Sequence, residues 1–230
     1  ITDTAGLSSS CSFQVIVEDT ISPTVICPSD TVVATDLAVC DAVVNGLTPV
    51  FDDNCSVVAQ LWDASVATVA SSAGVGFNDI SGNTFNLDTT IVIYTVVDTS
   101  GNTGSCSFQV VVQDTTPPTL TCPNDTTVST DIAVCDAIVN GINIVAFDDN
   151  CTVVSQLWDF SGASVNSSPP VGINDASGQT FSLDTTLVTY TIIDTAGNSA
   201  SCSFEVIVED TISPTITCPS DTIVPTDIAV

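Results

Sequence analysis

Tandem antiparallel β-sandwiches are predicted for this 230-residue chain by three observations. Its apolar residues, mostly Val, Ile, Ala and Leu, alternate with polar ones over short runs, which is the period of a half-buried strand. Gly, Pro, Asn and Asp interrupt those runs at short intervals, and no helical periodicity is sustained. The same phrases recur 95 and 96 residues apart, so the repeating unit is a whole domain and not one turn of a solenoid.

Cys11, Cys106 and Cys202 each open the phrase C-S-F-[QE]-V-[IV]-V-[EQ]-D-T. Cys27, Cys122 and Cys218 stand in C-P-[SN]-D-T, Cys40 and Cys135 in T-D-[LI]-A-V-C-D-A, and Cys55 and Cys151 close F-D-D-N-C. Boundaries placed in the [EQ]-D-T linkers give the tail of one repeat (1–19), whole repeats at 20–114 and 115–210, and the head of another (211–230). Both ends are then expected to lie inside a longer precursor, with no signal peptide at Ile1 and no apolar run long enough for a membrane helix.

In the second whole repeat, strands are expected at about 119–122, 126–129, 135–144, 152–159, 180–183, 186–194 and 200–208. Seven short strands in one repeat read as an immunoglobulin-like sandwich. Trp62 and Trp158, both in Q-L-W-D, fall on the third strand of such a sandwich, where a buried tryptophan is the reading and a sugar-binding surface aromatic the alternative.

Charge narrows the function. The chain has no Lys, Arg or His against twenty-four Asp and three Glu, a formal net charge of -27. Nothing in it can release counterions from phosphates or pair with anionic lipid, so nucleic-acid and membrane-surface roles are disfavoured. It offers no imidazole or amine as a base, and adjacent carboxylates such as Asp52 and Asp53 rarely face one substrate across a glycosidase site, so no enzyme is expected. A content of 44% hydrophobic residues still permits a real core. Ten cysteines without histidine point to disulfides formed outside the cytosol.

The ordered phrases resemble the hyalin repeat (HYR) family of extracellular modules. The match runs from D-T-x-x-P-x-[LI]-x-C-P at Asp114 through D-N-C at Asp149 to Y-T-I-I-D-T-A-G-N at Tyr190 and C-S-F-E-V at Cys202. The resemblance implies tandem immunoglobulin-like modules on cell surfaces, associated with adhesion and not enzymes by themselves. Near-identical neighbours and an Asp-Thr bias also resemble the repetitive surface proteins of Bacteroidetes, gliding-motility adhesins included.

Four cysteines per repeat allow three connectivities. Placing the first two on neighbouring strands, and the last two at one pole, favours Cys27 with Cys40, Cys55 with Cys106, Cys122 with Cys135 and Cys151 with Cys202. Hard oxygens are expected to converge where repeats join: Asp19, Asp52, Asp53, Asn54, Asp98 and Asn102 in the first repeat, and Asp114, Asp148, Asp149, Asn150, Asp194 and Asn198 in the second. Calcium suits such oxygens and would neutralise them. The plainer alternative is hairpin turns and loop caps.

Asp-Thr followed by a small or apolar residue resembles a Bacteroidetes O-glycosylation signal, with Thr20, Thr31, Thr89, Thr115, Thr126, Thr185, Thr195 and Thr211 as candidate acceptors. The same dipeptide also suits strand ends. N-x-[ST] occurs at Asn54, Asn124, Asn150 and Asn166. Two functions follow: a structural and adhesive spacer in a long, negatively charged extracellular filament, or a calcium-dependent carbohydrate-binding module. The expected partners are neighbouring repeats of the same chain, with surface glycans or a substratum beyond it.

Overall fold

The computed structural model describes residues 1–64, 71, 72, 74–224 and 226, so the expected head of a further repeat lies partly outside the described residues. The chain forms two compact units, Ile1–Thr115 and Thr116–Val230. The first carries β1 (Thr24–Ile26), β2 (Thr31–Ala34), β3 (Asp41–Val44), β4 (Val50–Asp52), β5 (Val57–Ala64), β6 (Asn83–Asn86), β7 (Asp88–Asp98) and β8 (Thr103–Gln113). The second carries β9 (Thr119–Thr121), β10 (Thr126–Ser129), β11 (Asp136–Val139), β12 (Ala146–Asp148), β13 (Val153–Gly162), β14 (Asn166–Ser167), β15 (Gln179–Ser182), β16 (Asp184–Asp194) and β17 (Ser199–Glu209).

One sheet of the first unit runs β2-β8-β7-β5, with β2 parallel to β8 and the rest antiparallel. Antiparallel pairs β3-β6 and β1-β4 supply the facing layer. Ala42 and Val44 from β3, Phe85 from β6, and Trp62, Val92, Tyr94, Phe108 and Val110 from the larger sheet share one buried core. The second unit repeats this as β10-β17-β16-β13-β14 over β11-β15 and β9-β12. Trp62 and Trp158 are only 7% and 6% exposed, so both belong to the core and neither is a sugar platform.

A single residue separates β6 from β7, and β15 from β16, where the chain crosses between layers. Asp88 and Asp184 make that crossing at φ 87° and 91°. A short acidic side chain tolerates the left-handed region by bonding locally, as Asp88 Oδ1 does with the Thr89 N–H at 2.7 Å.

The expected strand at 135–144 is realised only as β11, Asp136–Val139, and β12, Ala146–Asp148, begins beyond it. Asn140-Gly141, with Gly141 at φ 73°, turns the chain after β11, and β12 then pairs with β9. So β9 does not lie beside β11. Pro123 ends β9, and the next segment crosses to lie parallel to β17. Cys122 sits at that crossing, facing β17.

The disulfides follow from this crossing and correct the expected pairing: Cys27 joins Cys106 and Cys122 joins Cys202, at Cα separations of 5.7 and 5.8 Å. Cys27 is therefore not bonded to Cys40, Cys55 not to Cys106, Cys122 not to Cys135, and Cys151 not to Cys202. Cys55 and Cys135 are exposed free thiols, as are Cys11 and Cys218.

A hub that sequence reasoning missed fastens the loops to each core. Tyr94 Oη accepts from the Ile80 N–H at 3.0 Å and donates to Asp79 Oδ1 at 2.9 Å, while Thr48 Oγ1 donates to the other carboxylate oxygen. In the second unit Tyr190 Oη accepts from the Ala176 N–H at 2.9 Å and lies 3.0 Å from Asp175 Oδ1 and 3.1 Å from the Ile142 carbonyl. Burial pushes both phenols above their ordinary range. Burial raises Asp79, but the hydrogen bonds from Thr48, Ser81 and Tyr94 outweigh it and hold the carboxyl below 3.8.

Three outcomes are expected. Cys122→Ala with Cys202→Ala opens an 80-residue loop, and urea unfolding should show a loss of about 4 kcal/mol in the chain-entropy model; an unchanged midpoint would contradict the bridge. Tyr190→Phe removes a fully buried hydroxyl hub, at about 1–3 kcal/mol. Because the folded pKa of Asp79 lies below its unfolded value of 3.8, its contribution is present above that pH and lost as pH falls through the folded value. Asp79→Asn should flatten that acid limb in pH-dependent melting, and an unchanged limb would refute the assignment.

Candidate cation site

The alternation that turns Val92, Tyr94 and Val96 inward also turns Asp98 inward at the end of β7, only 2% exposed. Asp98 Oδ1 accepts the backbone N–H groups of Ser100 and Asn102, both at 2.8 Å, which closes the D-T-S-G-N turn around the carboxylate. Asn102 Nδ2 donates to Asp98 Oδ2 at 2.8 Å and to the carbonyl of Asp19 at 3.1 Å, tying this turn to the segment that enters the unit. Asp19 Oδ1 accepts from the Ile21 N–H and from Asn54 Nδ2, each at 3.1 Å. Asp53 Oδ2 accepts the Cys55 N–H at 3.1 Å.

Carboxylate oxygens of Asp19, Asp53 and Asp98 thereby come within 4.8 Å of one another. Asp19 Oδ2 and Asp53 Oδ1 are buried and accept no hydrogen bond from any protein donor. Two full charges at that spacing repel by about 3 kcal/mol at an effective dielectric constant near 20. The Cys55 thiol, the Ile21 N–H and the Asn54 amide hold Asp19 below the usual carboxylate range, and its contact with Asp19 raises the Cys55 thiol.

Of the six residues expected to converge in the first repeat, Asp19, Asp53 and Asp98 bring carboxylate oxygens together. Asp52 lies on β4, exposed, and contributes its backbone carbonyl to Thr24 Oγ1 instead of its side chain to the cluster. Asn54 and Asn102 present N–H donors to the carboxylates. In the second unit Asp194 is 2% exposed, accepts the N–H groups of Ala196 and Asn198 at 2.8 and 2.9 Å, and approaches an Asp149 oxygen within 4.8 Å. Asp149 Oδ2 accepts the Cys151 N–H at 3.3 Å, Asn150 Nδ2 leans on Cys151 Sγ at 3.6 Å, and Asp148 is exposed on β12. Asp114, the counterpart of Asp19, follows β8. Among the candidate threonines, Thr20, Thr115, Thr195 and Thr211 are exposed, while Thr31, Thr89, Thr126 and Thr185 are half-buried near strand starts.

A family model described as the HYR domain matches residues 18–112 and 113–208. Hyalin of Strongylocentrotus purpuratus is 32% identical over 96% of this chain, and hyalin of Lytechinus variegatus is 32% identical over 62% of it. The chain spans only 17% and 25% of those two relatives. Among solved structures, human protocadherin-24 EC1-2 superposes with a TM-score of 0.33 at 12% identity, covering 84% of this chain and all of that one, a likeness too slight to add to the family match.

If the hydrogen bonds around Asp98 fix the site, Asp98→Asn should keep the fold but loosen the D-T-S-G-N turn, seen as faster amide exchange at Ser100 and Asn102. Unchanged exchange at both would show that the carboxylate does not hold the turn.

Proposed function

As a member of the HYR domain family, this chain is, we propose, a run of non-catalytic adhesive modules in a long extracellular array, with calcium bound at the entry of each module. The observation that carries the calcium reading is the first cluster: three carboxylates within 4.8 Å, two of their buried oxygens without a protein donor, in a chain that has no Lys, Arg or His. Carboxylate and backbone oxygens are the ligands of a hard cation, and calcium takes six to eight of them in flexible geometry. Asp19 comes from the segment before β1, Asp53 precedes β5 and Asp98 ends β7. A cation there would fasten the incoming linker to two loops of the module it enters.

The disulfides fit an oxidising, extracellular setting. Placement on the cell surface, and a motility role, are the narrower form of the reading; they rest on the near-identity of successive repeats and the Asp-Thr bias. O-linked sugar on the exposed threonines belongs to the same narrower form. A carbohydrate-binding role has one observation in its favour: Phe51 and Phe77 stack at 6.0 Å with Phe77 62% exposed, and the second repeat has Ile173 where the first has Phe77. The aromatic ledge is therefore special to one repeat.

Calcium added to metal-free protein should raise the melting temperature, by about 2.7 kcal/mol of stabilisation at a hundredfold excess over Kd, and Asp53→Asn with Asp98→Asn should abolish the rise. Beads coated with the array should adhere less after chelation. Melting and adhesion that ignore both calcium and the double substitution would sink the reading. Binding to a glycan array lost in Phe77→Ala would favour the carbohydrate role instead.

A further inference from the structure

Only Asn45 and Asn140 precede a glycine, and they stand at the same place in successive repeats, just after β3 and β11. Gly46 and Gly141 take φ 77° and 73°, a region that glycine enters freely. Both ends of each turn are held. The Gly82 N–H donates to the Val44 carbonyl at 2.7 Å and the Leu47 N–H to Ser81 Oγ at 2.8 Å. In the second unit the Gly178 N–H donates to the Val139 carbonyl at 2.7 Å and the Ile142 N–H to Ser177 Oγ at 3.1 Å. The peptide between these anchors is open: Asn45, Gly46, Asn140 and Gly141 are exposed, and among the described residues neither side-chain amide and neither glycine N–H makes a hydrogen bond. A Cβ added to either glycine would meet no atom within 4 Å, so no other residue covers that side of the peptide. Other asparagines are tied down. Asn102 and Asn198 donate from Nδ2 to Asp98 and Asp194, Asn78 and Asn174 donate to backbone carbonyls, and a larger residue follows each of the four.

We propose that Asn45 and Asn140 lose their amides spontaneously, each through a ring closed on the following glycine nitrogen, and that the isoaspartate left behind loosens the turn's hold on the core. The glycine nitrogen attacks Cγ of the asparagine, a C–N bond forms, and the side-chain amide leaves as ammonia with the proton that the nitrogen gives up. Glycine favours this step because it has no Cβ to crowd the approach and resists the dihedral change least. Water then opens the five-membered imide. Attack at Cγ restores the main chain and leaves aspartate. Attack at the main-chain carbonyl carbon leaves isoaspartate, whose backbone runs through the former side chain and is one carbon longer. In sum one water is consumed and one ammonia released, with no oxidant or reductant. The added carbon lies one residue ahead of Leu47 and Ile142, each only 1% exposed, and the Ile142 carbonyl is 3.1 Å from Tyr190 Oη. Each repeat is therefore set to age at one turn, beside its own core anchor.

The test incubates the full chain in warm neutral buffer and maps it by mass spectrometry after chymotrypsin, because the chain holds no Lys or Arg for trypsin. The mass change from amide to acid is expected at Asn45 and Asn140, as a mixture of isoaspartate and aspartate, about tenfold or more faster than at Asn102, whose bound amide and bulkier neighbour raise the barrier. Asn45→Gln with Asn140→Gln should abolish the change and, after equal incubation, keep the melting temperature that the parent chain loses. The proposal is overturned if aspartate alone forms, which is direct hydrolysis without the ring, or if Asn102 converts as fast. It is overturned equally if the incubated parent melts no lower than the glutamine variant, or if freshly made Asn45→Asp with Asn140→Asp melts as low as the incubated parent, which would assign the loss to charge and not to the longer backbone.

Discussion

The two-residue alternation along β7 and β16 is the constraint from which the rest follows. Thr90, Val92, Tyr94, Val96 and Asp98 all face inward on one strand, as do Thr186, Val188, Tyr190, Ile192 and Asp194 on the other. A slip of one residue would exchange every one of them for its solvent-facing neighbour. The aliphatic members build the core, the tyrosine in the middle collects the loop of Asp79 or Asp175, and the aspartate at the end closes a turn. Core, loop anchor and acidic cluster are therefore one register seen at three heights.

That coupling explains why a buried carboxylate is tolerated. Asp98 pairs with no cation, yet its oxygens take two backbone donors and one amide, and such bonds compensate a buried polar group. Asp19 and Asp53 are less completely served, each with a buried oxygen left over. In a chain without basic residues, the repulsion among them can be met only from outside or by local dipoles.

Most of the strand plan was legible because alternation and turn residues are local signals. Six of the seven expected strands of the second unit coincide with the observed ones to within a few residues, from β9 at Thr119–Thr121 to β17 at Ser199–Glu209. The seventh, at 135–144, stops at Val139 because Asn140-Gly141 turns the chain inside what looked like one apolar run, and the three-residue β12 beyond it and the two-residue β14 were too short to signal themselves. Cysteine pairing was misread for a non-local reason: Pro123 moves the chain between layers, and no pattern in the sequence states which layer follows. The gathering of Asp19, Asp53 and Asp98 was legible because three loops of an immunoglobulin-like sandwich share a pole; that Asn54 and Asn102 would turn donors toward them was not. The Tyr94–Asp79 hub did leave a trace, since N-D-[IA]-S-G stands the same distance before Tyr in both repeats.

The bridge from the first strand region to the last has a mechanical consequence. A pull along the chain enters the first unit near Cys27 and leaves near Cys106, so the bond carries the load past the 78 residues between them. Those residues are shielded from tension, and a sandwich whose strands came apart would lengthen hardly at all. Between these two bridges the chain from Cys106 to Cys122 is a sixteen-residue step, about 55 Å when fully extended. An array built this way behaves as a nearly inextensible tether whose give resides in its linkers.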